Sequence, residues 1–274
     1  MTSWPDTIVL IHGPWMKPIA WERWADRYQA RGFTVLTPEY PEMSSGVVSE
    51  CREEASKVSG LGVDDILDHL STVIENLPTP PIIMGHSIGG TLAQLLIGNG
   101  LGAAGVSIAG GPVRGMGGLP LSKLRSILPI LNDFSIMHQE IALTIQDFRD
   151  IFANCLEKRA SQWVYDRYVA PTPARIIFQS GLAPYVPHAA TAFDFYNNDR
   201  APLFFISGEQ DQIFPAVVQR RNYEMNAMHS TAIAAYAIFD GRDHFIFGEP
   251  GWESIADTAL AWSLAPRAGT LQVN

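Results

Sequence analysis

The sequence predicts an α/β protein: a mainly parallel, doubly wound sheet flanked by helices, with a helical segment inserted late in the sheet. Three observations carry that prediction. Several strand-sized apolar runs are continuous rather than alternating, as expected of strands covered on both faces. Helix-sized segments separate them. One tight Gly-x-Ser-x-Gly turn joins such a run directly to a helix. Alternating strand and helix signals of this kind imply parallel strands joined by right-handed crossovers.

The elements follow in order. Thr7-Ile-Val-Leu-Ile-His12 is the first buried run, Ile19 to Arg31 reads as a helix, and Phe33 to Thr37 as a second strand. Met43 to Gly62 is polar and punctuated by Gly and Ser, the composition of a surface loop with room for one short helix. Val63 to Leu77 is helical, and Pro81-Ile-Ile-Met84 is a buried strand. Ile88 to Asn99 is a helix that Asn99-Gly100 stops. Ala104 to Ala109 is a further strand. The alternation then breaks between about Pro112 and Asn198. That stretch holds helix-like sequence at Leu121 to Leu131, Gln139 to Leu156 and Ser161 to Tyr168, then the Pro-rich Ala170-Pro-Thr-Pro173. The alternation resumes with strand Pro202 to Ser207, helix Pro215 to His229, strand Ala234 to Phe239 and helix Trp252 to Leu264. Residues 1–111 and 199–274 therefore form one core. Residues 112–198 form a helical cap without a strand of the main sheet, above the strand ends where open α/β sheets bind ligands.

Composition narrows the partners. A chain of 274 residues, 47% hydrophobic with 23 Gly and 19 Pro, is an ordinary globular protein with many tight turns. Its 19 basic against 28 acidic residues give a net charge of −9, which disfavours nucleic acid and anionic membrane surfaces. No apolar stretch approaches the ~20 residues of a spanning helix. Met1-Thr-Ser-Trp-Pro-Asp6 has neither the basic start nor the apolar core of a signal peptide. Cys51 and Cys155 sit in unrelated segments and match no metal-ligand spacing, so free thiols in a reducing compartment are expected. The expectation is a cytoplasmic protein with a small-molecule substrate and no cofactor or metal.

The chemistry starts at Gly85-His86-Ser87-Ile88-Gly89-Gly90. A serine in a sharp strand-to-helix turn projects its hydroxyl above the sheet, and the flanking residues must be nearly free of side chain. That makes Ser87 a nucleophile in need of a base, and the base in need of an orienting carboxylate. The template places them after later strands in the order Ser, acid, His. Strand Leu203 to Ser207 is followed by Gly208-Glu-Gln-Asp211, and strand Ala234 to Phe239 by Asp240-Gly-Arg-Asp243-His244-Phe245. Asp211 is preferred as the acid, with Glu209 as its competitor and a helix N-cap as its alternative role. His244 is the base. Asp243 adjoins it, but neighbours in an extended loop point opposite ways. His86, inside the elbow, reads as structural.

These residues resemble the α/β-hydrolase superfamily, specifically its small, cap-bearing serine esterases, over nearly the whole chain. His12-Gly13-Pro14-Trp15-Met16 followed by Trp21-Glu22-Arg23-Trp24 is similar to a His-Gly-x-Trp-Met and Trp-Glu-x-Trp subgroup. The resemblance implies an α/β-hydrolase fold with the cap inserted after Ala104 to Ala109, strand six in the family's count. It also implies an oxyanion hole of backbone N–H groups, with Ile88 as one donor. The residue after His-Gly, which often supplies the other, is Pro14 here and has no N–H. Trp15 N–H takes its place, with Met16 N–H as the alternative; otherwise the hole is weaker than usual. Trp15, Met16, Ile88, Ile213 and Phe245, with Phe148, Phe152 and Trp163 from the cap, are the expected pocket lining; the cap aromatics would serve equally as packing. The implied reaction is hydrolysis of a carboxylic ester, amide or lactone of a small, largely apolar substrate through an acyl-serine intermediate. A C–C hydrolase or lyase using the same triad, and a non-catalytic ligand receptor of the same fold, remain as alternatives.

Overall fold

The computed structural model describes residues 5–41, 60–117 and 126–273. Four strands precede the insertion: β1 (Thr7–Ile11), β2 (Thr34–Leu36), β3 (Ile82–His86) and β4 (Ala104–Ile108). Within it, β5 (Glu140–Ile141) and β6 (Thr172–Pro173) form a small antiparallel ladder of their own. The main sheet resumes with β7 (Leu203–Gly208), β8 (Ala234–Phe239) and β9 (Gly269–Thr270). It has seven strands in the order β2-β1-β3-β4-β7-β8-β9, every pair parallel. All residues of β1, β3, β4 and β7 are buried, which is why their sequences are unbroken apolar runs.

The helices are, in chain order, α1 (Glu22–Gln29), α2 (Val63–Glu75), α3 (Ile88–Gly98), α4 (Leu128–Leu131), α5 (Lys158–Tyr168), α6 (Ala174–Gly181), α7 (Val217–His229) and α8 (Trp252–Leu264); α4 to α6 fall within residues 112–198. The strand order reverses at β1: β1 leads outward to β2, whereas β3 leads the other way to β4. With right-handed crossovers, α1 and α3 then lie on opposite faces. α1 pairs with α8 through Arg27 on Asp257, two bonds of 2.7 Å, and through Tyr28 Oη on the Ala256 carbonyl at 2.8 Å. The reversal puts the carboxyl ends of β1 and β3 side by side, with Ile11 opposite Gly85, and the site is assembled there.

Residues 112–198 depart from the expected helices in two places. Gln139 to Leu156 is not one helix. Its first residues pair as β5 with β6, and Thr144 starts a new turn, accepting from Asp147 N at 3.1 Å. Helical turn Ile145–Asp147 runs into a π-helix at Phe148–Phe152. α6 begins directly after Pro173, where the sequence predicts no helix. Most of the loop expected over Met43 to Gly62, with Cys51, and the start of Leu121 to Leu131 lie outside the described residues. Among the described residues no helix is long and apolar enough to cross a membrane.

Candidate active site

The Ser87 turn is as tight as the motif demands. A Cβ on Gly85 would lie 2.0 Å from the Gly89 carbonyl oxygen, and one on Gly89 would lie 2.3 Å from that of Ile11. Ser87 itself sits at φ +57°, ψ −128°, a conformation that side-chain-bearing residues rarely adopt and that functional sites retain. Its N–H donates to the Ile108 carbonyl at 2.9 Å, so β4 holds the turn. Gly13 lies directly against it: a Cβ there would meet Ser87 Cβ at 2.7 Å.

Strand ends deliver the partners. His244 Nε2 is 2.9 Å from Ser87 Oγ, and His244 Nδ1 is 2.8 Å from Asp211 Oδ2. A carboxylate only accepts, so Nδ1 carries the proton and Nε2 is free to receive the one on Ser87. The other Asp211 oxygen accepts from the N–H groups of Ile213 at 2.8 Å and Phe214 at 2.9 Å. Asp211 thus caps the following turn and faces His244 at once. Glu209, its competitor, instead accepts from Gly241 N at 3.0 Å and lies exposed. Ser87, Asp211 and His244 are all buried.

The imidazole is walled by rings. Phe152 lies 4.8 Å away, edge to face, and Phe214 5.8 Å away. His86 packs against it at 4.7 Å and donates its Nε2–H to the His244 carbonyl at 2.7 Å. Burial, with His244 beside it, holds the His86 pKa well below the ordinary histidine value, so His86 is neutral and positions rather than titrates. His12 is likewise buried, pushed down to about 4, with Nδ1–H on the Gly13 carbonyl at 3.0 Å.

Met16 N–H donates to the Gly13 carbonyl at 3.3 Å, which commits it to the His-Gly turn. Gly90 and Thr91 donate to the Ser87 carbonyl at 2.9 and 3.2 Å. The amides of Trp15 and Ile88 take part in no such backbone bond among the described residues. Trp15 is at φ +59°, directly after Pro14.

The pocket expectations divide. Met16, Ile88, Ile213, Phe148 and Phe152 are buried around this centre. Trp163 is elsewhere: it is 49% exposed, with Arg23 and Arg167 over its ring at 5.7 and 5.6 Å. It lines an outer groove of about 560 Å³ with Val164, Tyr168, Phe247 and Trp252. Phe245 lines that groove too, while its N–H donates to the Phe152 carbonyl at 2.9 Å. The reason is the direction of α5, whose buried face carries Ser161, Val164 and Tyr168 and turns Trp163 outward. Phe214 was not anticipated; its only sequence signal is an apolar residue three positions after the acid.

One further cluster has metal-ligand chemistry. Ligand atoms of Cys155, Asp243 and Glu249 all lie within 4.8 Å of one another. Their acceptors are engaged, however. Asp243 accepts from Cys155 N at 2.6 Å and Phe245 N at 2.8 Å, and Glu249 accepts from Asp243 N at 2.8 Å and Arg242 at 3.2 Å. The cluster ties loops together instead.

A family model described as the alpha/beta hydrolase family matches residues 8–257. The chain is an α/β-hydrolase. Among solved structures, this α/β-hydrolase is similar to the monoacylglycerol lipase of Paleococcus ferrophilus at 16% identity and TM-score 0.66, covering 96% of each chain. It is similar to a pyrethroid hydrolase from Sphingobium faniae at 14% identity and TM-score 0.63, covering 95% of this chain and 98% of that one. An extracellular alpha/beta-hydrolase from a Paenibacillus species, described as sharing structural and functional homology with tobacco salicylic acid binding protein 2, matches at 20% identity and TM-score 0.65; coverage is 96% and 100%. A search of curated proteins gives no match. At these identities the likeness is one of fold.

Proposed function

We propose that this α/β-hydrolase cleaves a carboxylic ester of a small, largely apolar substrate through an acyl-serine intermediate. The observation that carries the reading is the unbroken buried chain Ser87 Oγ, His244 Nε2, His244 Nδ1, Asp211 Oδ2. In the reaction His244 takes the Ser87 proton as the oxygen bonds to the carbonyl carbon. The developing oxyanion is met by Ile88 N–H, at the positive end of α3, and by Trp15 N–H. His244 then hands the proton to the leaving alkoxide, and water repeats the sequence to free the acid. Residues 112–198 are the cap, and Met16, Ile213, Phe152 and Phe214 are the apolar walls that favour a hydrocarbon acyl or alcohol group. The monoacylglycerol lipase and the pyrethroid hydrolase among the similar folds are in keeping with ester chemistry.

The test is labelling and turnover together. Wild type is expected to react with a fluorophosphonate probe and to hydrolyse p-nitrophenyl esters, with chain-length preference sizing the pocket. Ser87→Ala is expected to lose both while keeping its circular dichroism. Labelling that survives in Ser87→Ala, or a folded wild type inert to probe and panel alike, ends the reading.

A further inference from the structure

Two contacts that shape the Trp15 turn come from residues 140–170. The Trp15 carbonyl accepts from Ala170 N at 3.0 Å, a bond of the antiparallel bridge between Met16 and Val169, and its indole Nε1–H donates to the Ile141 carbonyl at 3.2 Å. Core residues contribute the Met16 N–H bond to Gly13. A side-chain-bearing residue at φ +59° is disfavoured and persists only where its surroundings hold it. Here one bond fixes the peptide plane after Trp15 and another fixes its side chain. Pro14 fixes only its own φ, so the peptide plane that carries Trp15 N–H can still turn about the Pro14 ψ. Freed from the segment, Trp15 would relax toward negative φ by a flip of that plane, and its N–H would swing away.

The segment is fastened at the same edge. Arg167 forms a two-pronged ion pair with Glu22 of α1, and Tyr168 Oη donates to the same carboxylate at 2.5 Å. Ser87 is only 4% exposed, and His244 is 0% exposed. For a substrate to reach them, this roof would have to lift.

Resting on the serine-hydrolase reading, we propose that seating of residues 140–170 completes the oxyanion hole. While the roof is lifted the hole has one aimed donor, Ile88 N–H. When it closes around a fitting ester, Ala170 and Ile141 pull Trp15 into its left-handed conformation and the second donor is restored. Acylating power is thereby reserved for substrates that let the roof reseat, a form of induced-fit selection. Ala170, Ile141, Glu22 and Arg167 act through Trp15, as positioning groups.

The experiment uses two variants of the full chain. Ala170→Pro deletes the N–H that holds the Trp15 carbonyl, and Val169, at ψ 121°, already suits a residue preceding proline. Glu22→Gln with Arg167→Gln releases the latch at the outer edge. Each is expected to lower kcat about 10- to 100-fold. KM should change far less, and affinity for a trifluoromethyl ketone, which forms an oxyanion on Ser87, should fall by the same factor as kcat. Affinity for the product acid should hold, and Arg167→Lys should recover much of kcat. The Trp15 indole resonance, assigned by Trp15→Phe, reports seating independently of turnover. A latch variant that folds, shifts that resonance and yet keeps kcat and ketone affinity within about twofold of wild type overturns the inference while leaving the hydrolase reading intact. A wild type that fails to label removes the hydrolase reading itself.

Discussion

On the proposed reading Ser87 gives up its proton only to a base whose ring is held still, and the His244 ring is held on three sides. Asp211 grips Nδ1, His86 grips the backbone carbonyl, and Phe152 and Phe214 confine the ring. The preference for Asp211 over Glu209 has a measurable consequence. Asp211→Asn is expected to cut kcat by about 10⁴, because the amide no longer enforces the Nδ1–H tautomer. Glu209→Gln, exposed and bonded to Gly241, is expected to stay within about twofold of wild type. Steady-state kinetics on one ester decides between them, and the reverse ranking would reassign the acid. At this scale much of the arrangement was legible, because residue type and loop position together specify Ser87, Asp211 and His244. Trp163 was misplaced because its aromatic character is visible in the sequence and the rotation of its helix is not.

Among elements, the elbow tolerates least. Gly85→Ala would drive a methyl into the Gly89 carbonyl at 2.0 Å, backbone against backbone, with no flexible side chain to yield. Loss of folded, soluble protein is the expected result. Gly100, which ends α3 at φ +83°, has open space around it, so Gly100→Ala meets only the left-handed penalty of about 1–2 kcal/mol. Soluble yield and thermal unfolding should separate the two variants clearly; a Gly85→Ala protein that folds and melts like Gly100→Ala would contradict the contact geometry. The strands were readable as apolar runs since both sheet faces are covered. Gln139 to Leu156 was not, because its polar and apolar residues suit a helix while its backbone bonds go to β6 and to the Thr144 cap. α6 was missed for a related reason: Pro171 and Pro173 read as breakers, whereas a proline just ahead of a helix can start one.

For the molecule as a whole, stability is spread over ties between loops far apart in the chain. Asp243 receives Cys155 N from the inserted segment and lies beside Glu249 in the last loop. Burial, then the adjacent Glu249, pushes the Asp243 carboxyl up to about 9 from its ordinary 3.8. Between those values the folded chain retains a proton the unfolded chain has released. Asp243 therefore costs stability progressively as pH rises through that window, and the cost levels off above it. Glu249→Gln removes the neighbouring charge and keeps an oxygen for Asp243 N, so the decline should be shallower. Urea unfolding from about pH 5 to about pH 9 measures the two slopes, and parallel slopes would refute the assignment. Ties of this kind were invisible beforehand. Cys155, Ala170 and Ile141 meet the core through backbone N–H and C=O groups, which every residue type carries.

The two rims of the sheet carry a last consequence. β2 is three residues long and only half-buried, and β9 is two residues long with a glycine at its start. A foreign strand adding to either rim would find only a few unpaired peptide groups before the chain turned away. Such brief rims are poor seeds for the lateral strand addition that drives fibre growth and exchange of segments between molecules. A sheet whose central strands are among the most apolar stretches of the chain is thus protected at its margins by brevity, with Pro38-Glu39 just after β2 and Pro266-Arg267 just before β9.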